Sequence, residues 1–409
     1  MRAHITLINQ MKALDLLLIT VIASIIPGQL VRISIFGQEG SFTVSDILVL
    51  ILAVAFVLHS FFNKVAIVLP KKLMLPVCVF SLSAASSTVF ALNQFSKKEI
   101  FISSLFLFRF LLYFSILILT LNIVKRTKIE NWLNIFFATG SALVFLGFVQ
   151  FLFVPNLLFL TPYGWDPHKM RIVSTFLDPN FTGVVFVFLA SFSLSKYLYK
   201  KSLGLFLIFL FSSIAIFLTF SRSSYLAFLC ALLVIGSLKS FKMTFLIILI
   251  FSFSFIFVPQ ARERITGAIT FDETAKARVE SWQKALFVFR EHFLIGVGFN
   301  TYRYSQASYG FFENDQSLGG HSGAGSDSSL LLVAATTGVF GLGAFLWMLA
   351  SIYKTIAKSS KKSFIALGTL ASFIALLVHS QFVNSLFFPQ IMLLFWFFVG
   401  ISSRENNLR

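Results

Sequence analysis

Long apolar runs, separated by short polar connections, dominate this sequence and limit the folds open to it. We count about twelve runs of roughly 17 to 25 apolar residues, each long enough to cross the hydrocarbon core of a bilayer. They lie near residues 13–30, 45–62, 73–92, 100–124, 132–154, 177–195, 202–220, 223–238, 243–258, 328–352, 363–383 and 386–402. Apolar residues supply 57% of the chain and charged residues only 12%, which is outside the range of soluble proteins. The sequence therefore predicts an all-α, polytopic integral membrane protein.

The basic residues mark the topology of these spans. Every second connection carries a cluster of lysine or arginine, within residues 64–72, 125–128, 196–201, 239–242 and 354–362. By the positive-inside rule these connections are cytoplasmic, and so are both termini. The connection 155–175, the turn at 221–222 and the long loop 260–327 are then extracytoplasmic. Because most of the formal charge of +17 encodes topology and does not cover a water-soluble face, no nucleic-acid partner is predicted.

The simplest organisation is a single membrane domain with one external insertion. Residues 1–258 hold the first nine spans, residues 259–327 form the extracytoplasmic loop, and residues 328–409 hold the last three spans and a short cytoplasmic tail. The first span has no short apolar region with a cleavage site, so it is expected to be a retained signal anchor. Cys78 and Cys230 fall inside spans, where no disulfide is implied.

The loop at 260–327 is the only long polar stretch, and it carries seven lysines and arginines. Within it, apolar residues recur at spacings of three and four, at Val279, Trp282, Leu286, Phe289 and Phe293. This spacing predicts an amphipathic helix over about 274–294, capped by Asp272 or Thr274. An external helix with an aromatic stripe and basic flanks suits the lipid–water interface. Alternatively, the stripe packs onto the membrane domain.

Three arginines occupy positions that helix stability does not explain. Arg278 lies on the first turn of the predicted helix, where the helix dipole mildly disfavours a cation. Arg222, in TFSRSSYLAF, lies in a very short turn between two spans, and Arg109, in FISSLFLFRFLLYF, lies mid-span. Such cations normally face a water-filled cavity or a partner, and the guanidinium fork suits diphosphate oxygens. The alternatives are a solvated charge for Arg278, an interfacial anchor for Arg222 and a buried ion pair for Arg109.

His321 and Asp327 lie in HSGAGSDSSLL, immediately before the tenth span. A carboxylate or imidazole at a water–membrane boundary can take a proton from a sugar hydroxyl. For Asp327 the alternative is an ordinary helix N-cap. Asp166, His168 and Asp178 form a second external cluster, in which Asp178 followed by proline suits a helix cap. His-Glu-x-x-His, Cys-pair, Walker and GxGxxG patterns are absent from the sequence, so neither a metal nor a cofactor is predicted.

Four segments, taken in order, resemble a known family. TFSRSSYLAF, ARVESWQKALFVFREHFLIGVGFNTY and DSSLLLVAATTGVFGLGAF are similar to motifs of the O-antigen ligase and polymerase superfamily of bacterial envelope glycan enzymes. The upstream LDPNFTG is similar to an asparagine-containing motif of that family. The resemblance covers about residues 176–345, whereas the N-terminal spans match only in hydropathy.

The resemblance implies a membrane glycosyltransferase of GT-C-like architecture in the bacterial cytoplasmic (inner) membrane. Its donor would be an undecaprenyl-diphosphate-linked glycan, and its acceptor a hydroxyl of a glycan or lipid on the extracytoplasmic side, with no metal. Arg222 and Arg278 match the arginines that would hold the diphosphate. Asp327 and Ser328 stand where the family commonly has His-Asn, so Asp327 or His321 would act as base. Further candidates for substrate binding are Arg303, Arg171, Asn180 and Arg109.

Two other functions fit the same residues. A transporter or flippase of lipid-linked saccharide would also place arginines near a diphosphate, but it is expected to have matching interrupted helices in two halves, which the sequence lacks. A structural partner in an envelope complex would leave the loop arginines individually dispensable.

Overall fold

The computed structural model describes the backbone over residues 2–35, 39–312 and 325–406. His321 lies outside the described residues, and its role stays a prediction. Fifteen α-helices and one two-stranded antiparallel sheet occur in these ranges. With 76% helix, the chain confirms the predicted all-α class.

The N-terminal part holds the sheet and the first five helices. In chain order they are α1 (Arg2–Ala23), β1 (Arg32–Ser34), β2 (Ser41–Thr43), α2 (Val44–Phe62), α3 (Lys71–Phe90), α4 (Lys97–Ile123) and α5 (Ile129–Phe153). The remaining helices are α6 (Pro179–Tyr199), α7 (Leu203–Leu218), α8 (Arg222–Leu238), α9 (Phe241–Phe257), α10 (Pro259–Ile269), α11 (Glu273–Glu291), α12 (Tyr302–Ser308), α13 (Ser329–Ala357), α14 (Phe364–His379) and α15 (Pro389–Asn406).

Six of the described helices, α2 to α6 and α13, are long and apolar enough to cross a membrane, or up to seven if the bent pair α9 and α10 counts as one span. The apolar helices α7, α8 and α14 are shorter, at 16 or 17 residues. Each predicted apolar run overlaps one helix of the described chain. A multi-pass membrane protein is therefore confirmed, whereas the count of twelve spans stays a prediction.

Among the six candidate spans, α6 is the most enclosed, with 83% of its span buried. It packs against α7 and α14, and α14 in turn packs against α8. Phe192 of α6 stacks on Phe398 of α15 with ring centroids 3.8 Å apart. A helix that is apolar on all sides belongs in the interior of a bundle, so the other helices surround this centre.

The chain changes direction sharply where the long loop begins. The axes of α9 and α10 meet at 98°, at the junction of Val258 and Pro259. Pro259 is the first residue of α10, where its missing N–H costs no hydrogen bond. The helix predicted over about 274–294 corresponds to α11, which packs against α13.

The packing face of α11 differs from the predicted apolar stripe. Its buried residues are Ala285 and Val288, whereas Leu286 and Phe293 of the stripe are exposed. Ala285 and Val288 each precede a stripe residue by one position, so the buried face of α11 is rotated relative to the stripe. The predicted phase of the helix was therefore partly wrong.

The end of α11 is fixed by a break in α13. Gly338 has φ +64° and ψ −167° inside α13, and the segment after α11 pairs with the backbone on both sides of this break. The Val297 N–H donates to the Ala335 carbonyl at 3.1 Å, and the Val339 N–H donates to the Phe293 carbonyl at 2.8 Å. A Cβ on Gly338 would lie 2.2 Å from the Leu294 carbonyl oxygen, so glycine is required at this position.

Candidate active site

A cavity of about 350 Å³ opens where several connections of the bundle meet. Its lining comes from the β1–β2 hairpin, the α5–α6 connection, α4, α11, α12, the residues before α13 and the α14–α15 connection. These inter-helix connections are among those predicted to be extracytoplasmic, and the basic clusters lie at the others. The cavity therefore lies at the end of the bundle where the sequence predicts the reaction.

Arg278 lines this cavity from the second turn of α11. Its Cζ lies 6.0 Å from the ring centroid of Phe382. Burial lowers the pKa of Arg278, and the charge of Asp327 raises that pKa again. No carboxylate of the described residues lies within 4.0 Å of its guanidinium nitrogens. Because arginine stays charged, the cavity wall offers a cation whose donors can meet an anionic ligand.

Asp327 lines the cavity beside Arg278, and it is not the N-cap of α13. The neighbouring Ser328 is the cap, with its hydroxyl accepting from the Leu331 N–H at 3.3 Å. The Asp327 N–H donates to the Ser281 hydroxyl of α11 at 3.0 Å, so the two walls are joined. Burial raises the pKa of Asp327, Arg278 lowers it, and Asp178 and Asp166 raise it further. A carboxylate with a raised pKa suits a general base.

The asparagine motif meets the Ser-Arg motif beside the cavity. Asp178 caps α6 as predicted, accepting from the Asn180 N–H at 2.7 Å, with Pro179 as the first helical residue. The Asn180 amide oxygen accepts from the Ser221 hydroxyl at 2.7 Å, and Asn180 also lines the cavity. Two motifs that are far apart in sequence therefore form one structural unit.

Arg222 is not among the cavity-lining residues. Its guanidinium makes a two-pronged ion pair with Asp272, in which Nη1 lies 3.1 Å from Oδ1 and Nη2 pairs with Oδ2. It also donates to the Thr274 hydroxyl at 3.2 Å and to the Arg264 carbonyl. Since Asp272 is the N-cap of α11, Arg222 anchors the start of the helix that carries Arg278.

Of the other candidate arginines, Arg109 and Arg303 line the cavity, whereas Arg171 bonds to the backbone at the end of α7. Arg171 donates to the carbonyls of Thr219 and Phe220 at 2.8 and 3.1 Å, and burial lowers its pKa to about 10. Arg171 therefore clamps the end of α7 and does not line the cavity. Arg109 and Arg303 do line it. The partner of Arg109 is Asp46, with Nε 3.0 Å from Oδ1, so the ion-pair alternative is confirmed.

Asp166, His168 and Asp178 are the described residues that could hold a metal ion. Their potential ligand atoms lie within 4.8 Å of one another, and all three residues line the cavity. Burial lowers the pKa of His168 to about 4, so its imidazole is neutral at neutral pH and can act as a ligand. The sequence analysis placed these three residues in one external cluster but predicted no metal there, because their spacing matches none of the standard ligand motifs.

Other cavity residues carried no motif. Arg32, Glu39, Trp165 and Asn384 line the cavity, and none was singled out from the sequence. The available signal was weak: Arg32 and Glu39 are polar residues in the predicted external connection after the first span. The two strands that position this connection have three residues each, too few for a periodic pattern.

Residues 207–346 match a protein-family model described as O-antigen ligase. The match includes Arg222, Arg278, Asp327 and Gly338, and it supports the superfamily suggested by the sequence motifs. No curated protein matches the chain.

Proposed function

We propose that this member of the O-antigen ligase and polymerase superfamily is a membrane glycosyltransferase of cell-surface polysaccharide biosynthesis. It transfers or polymerises glycan from an undecaprenyl-diphosphate-linked donor onto an acceptor hydroxyl, on the extracytoplasmic side of the bacterial cytoplasmic membrane. The observation that carries the proposal is the joint placement of Arg278, Asp327 and Asn180 on one cavity.

The reaction follows from the chemistry of two residues. The Asp327 carboxylate takes the proton of the acceptor hydroxyl, whose oxygen attacks the anomeric carbon of the donor. A new glycosidic C–O bond forms, the bond to the diphosphate breaks, and the diphosphate leaves with the electron pair. The Arg278 guanidinium stabilises the charge that develops on this leaving group, which is worth about 3 to 4 kcal/mol per well-placed donor.

Arg222 acts on the same step through position. Its ion pair with Asp272 fixes the start of α11, and Arg278 is six residues further on. Displacing a reacting group by about 1 Å can lower the rate about 100-fold. The Arg222–Asp272 pair therefore affects the rate through the position of Arg278, without contact to the donor. His321 is kept as the alternative base, as the sequence predicts.

Bond formation by the purified protein tests the proposal. In proteoliposomes with a polyprenyl-diphosphate-linked oligosaccharide and a saccharide acceptor, mass spectrometry should detect the new glycosidic product. Arg278→Ala is expected to lower kcat by about 10²- to 10³-fold, because the leaving group loses its cation. Arg290→Ala is the matched control on the exposed side of α11, and it should retain wild-type turnover. Unchanged turnover in Arg278→Ala would sink the assignment.

Two further outcomes separate this function from its alternatives. The family match does not favour a flippase, but translocation of labelled lipid-linked sugar without any new glycosidic bond would reinstate it. We also propose that transfer needs no metal, because Arg278 supplies the positive charge for the diphosphate. A chelator should leave the rate of transfer unchanged. If the chelator instead lowers the rate, added Mn²⁺ restores it, and Asp166→Asn or His168→Ala removes this sensitivity to the chelator, the Asp166–His168–Asp178 cluster takes part in the mechanism.

A further inference from the structure

The connection between α14 and α15, residues 380–388, is bonded to the first residue of α13. That residue, Ser329, is fully buried. Its N–H donates to the Ser380 carbonyl at 2.8 Å, and its hydroxyl donates to the Asn384 amide oxygen at 3.0 Å. The Leu386 N–H donates to the same hydroxyl at 3.3 Å. Because the Ser329 hydroxyl donates one hydrogen bond and accepts another within this connection, the start of α13 is fixed to it.

A second link lies one residue nearer to Asp327. The hydroxyl of Ser328, the N-cap of α13, donates to the Gln381 amide oxygen at 3.3 Å. The Gln381 amide nitrogen donates to the Leu377 carbonyl of α14 at 2.9 Å, so α14 sets the orientation of this amide. Ser328 and Ser329, the two residues that follow Asp327, are therefore both bonded to the connection that begins where α14 ends.

Buried contacts hold the α14–α15 connection itself in place. The Ser385 hydroxyl lies 3.0 Å from the His379 Nδ1 at the end of α14, and both side chains are fully buried. The Phe388 ring stacks on the Phe181 ring of α6, with centroids 4.0 Å apart. A connection with buried hydrogen bonds and packed rings opens rarely, so it can serve as a fixed support for the start of α13.

Asn384 reaches the chain both before and after Asp327. Its amide oxygen accepts from Ser329, and a Cβ added to Gly325 would lie 3.2 Å from its amide nitrogen. Gly325, Asp327 and Asn384 all line the cavity. Between these two contacts, the Asp327 N–H donates to the Ser281 hydroxyl of α11 at 3.0 Å. The short segment that carries the Asp327 carboxylate therefore contacts both Asn384 and α11.

We propose that Asn384 is a positioning residue for Asp327, which holds the segment around the carboxylate and so sets the distance between this base and the acceptor hydroxyl. A general base must lie within about 2.6 to 3.2 Å of the group whose proton it takes, and a displacement of about 1 Å can lower the rate about 100-fold. Asn384 acts through Ser329, and Gln381 supports it through Ser328. The inference rests on the proposed function, because it takes Asp327 as the base of glycosyl transfer.

A split between kcat and KM tests this role, in the transfer assay with the full-length protein in proteoliposomes. Asn384→Ala is expected to lower kcat about 10- to 100-fold, because the base is displaced, and to leave KM of the donor and of the acceptor within about twofold. Asn384→Asp keeps an acceptor oxygen for the Ser329 hydroxyl, and it should retain most of the wild-type kcat at a pH above the acid limb of activity. Asn93→Ala, at an exposed position between α3 and α4, is the matched control and should turn over like the wild type. A raised KM with unchanged kcat in Asn384→Ala would show that Asn384 binds the substrate, and it would overturn the positioning role.

A double-mutant cycle tests the link through Ser329. Ser329→Ala removes the same hydrogen bond from its other end. The combination of Ser329→Ala and Asn384→Ala should therefore be no slower than the slower of the two single variants. A double variant in which the two losses multiply would show that the residues act independently, and the link would be wrong.

Hydrogen exchange separates this inference from the proposed function, because it needs no turnover. Asn384→Ala should speed exchange of the amides of residues 327–332, while exchange in α4 stays at the wild-type rate and shows that the fold is intact. If Asn384→Ala does not fold, Ser329→Ala should show the same faster exchange and the same loss of kcat. Faster exchange in a protein that forms no glycosidic bond would support the contacts of Asn384 and contradict only the proposed function. In a protein that does form the bond, wild-type exchange and wild-type kcat in Asn384→Ala would overturn the inference.

Discussion

Arg222 and Arg278 look equivalent in the sequence, yet their surroundings differ. Arg222 is engaged by Asp272, Thr274 and the Arg264 carbonyl, and its side chain is 16% exposed. Arg278 lines the cavity with no described carboxylate within 4.0 Å of its guanidinium. One arginine has its donors committed to the protein, and the other lines the cavity, where we propose that its donors meet the diphosphate. The motif arginines therefore locate the site in the sequence. Whether each one binds the protein or a ligand depends on whether a carboxylate lies next to its guanidinium.

The largest loss of transfer activity is expected for a change at Asp327, which lines the cavity beside Arg278. Asp327→Asn should lower kcat by about 10²- to 10⁴-fold, because an amide cannot take the acceptor proton. Turnover of a lipid-linked donor in proteoliposomes measures it, with the exposed Glu291→Gln of α11 as the control. Near-normal turnover in Asp327→Asn together with loss in His321→Ala would move the base to His321.

The pH profile supplies a second readout of the same pair. Burial raises the pKa of Asp327, and only its carboxylate form accepts a proton, so activity should fall with decreasing pH already above the ordinary aspartate range. Because Arg278 lowers that pKa, Arg278→Gln should shift the acid limb to higher pH. Arg278→Lys keeps the charge and should leave the limb in place while it slows transfer. If the acid limb does not move in Arg278→Gln, the charge of Arg278 does not act on the group that sets the limb, and the proposed coupling of Arg278 and Asp327 is wrong.

The next effect is expected on the Arg222 side. Asp272→Asn and Arg222→Gln should each lower kcat about tenfold, and the double variant should be no worse than either, because both break one anchor. Glu263→Gln, an exposed carboxylate on α10, is the control. Wild-type activity in Asp272→Asn beside a large loss in Arg222→Gln would show instead that Arg222 contacts the diphosphate, as the sequence motifs suggest.

The pKa values of Asp272 and Asp327 are shifted in opposite directions. Arg222 holds the pKa of Asp272 well below its usual range. A depressed carboxyl pKa gives stability that is present above the ordinary value and is lost only as pH falls through the depressed one. The anchor therefore stays intact in mild acid, and the acid limb of activity reports Asp327.

Hydrophobic periodicity and charge predicted much of the fold, but they did not predict which charged side chains form ion pairs. The apolar runs, the loop helix and the cap at Asp178 were readable because each depends on neighbours in sequence. The Arg109–Asp46 and Arg222–Asp272 pairs were not, since each joins residues 63 or 50 positions apart. The hairpin that carries Arg32 was also missed, because three-residue strands show no alternation.

The smallest effect on transfer is expected at the other end of α11. Gly338→Ala would place a Cβ 2.2 Å from the Leu294 carbonyl oxygen at φ +64°, and it should destabilise the protein by about 1 to 3 kcal/mol. Gly343→Ala, on the same helix with no atom within 4 Å of the added Cβ, should be neutral or slightly stabilising. Thermal unfolding in detergent and hydrogen exchange over residues 293–298 measure the difference.

Transfer should slow only a few-fold in Gly338→Ala, because the Arg222–Asp272 pair still fixes the start of α11, two turns or less from Arg278. Equal unfolding temperatures for the two glycine variants would contradict the close packing at the break in α13. A loss of transfer in Gly338→Ala larger than that in Asp272→Asn would reverse the ranking of the two anchors. The end of α11 that is held by backbone hydrogen bonds, and not the end held by Arg222, would then set the position of Arg278.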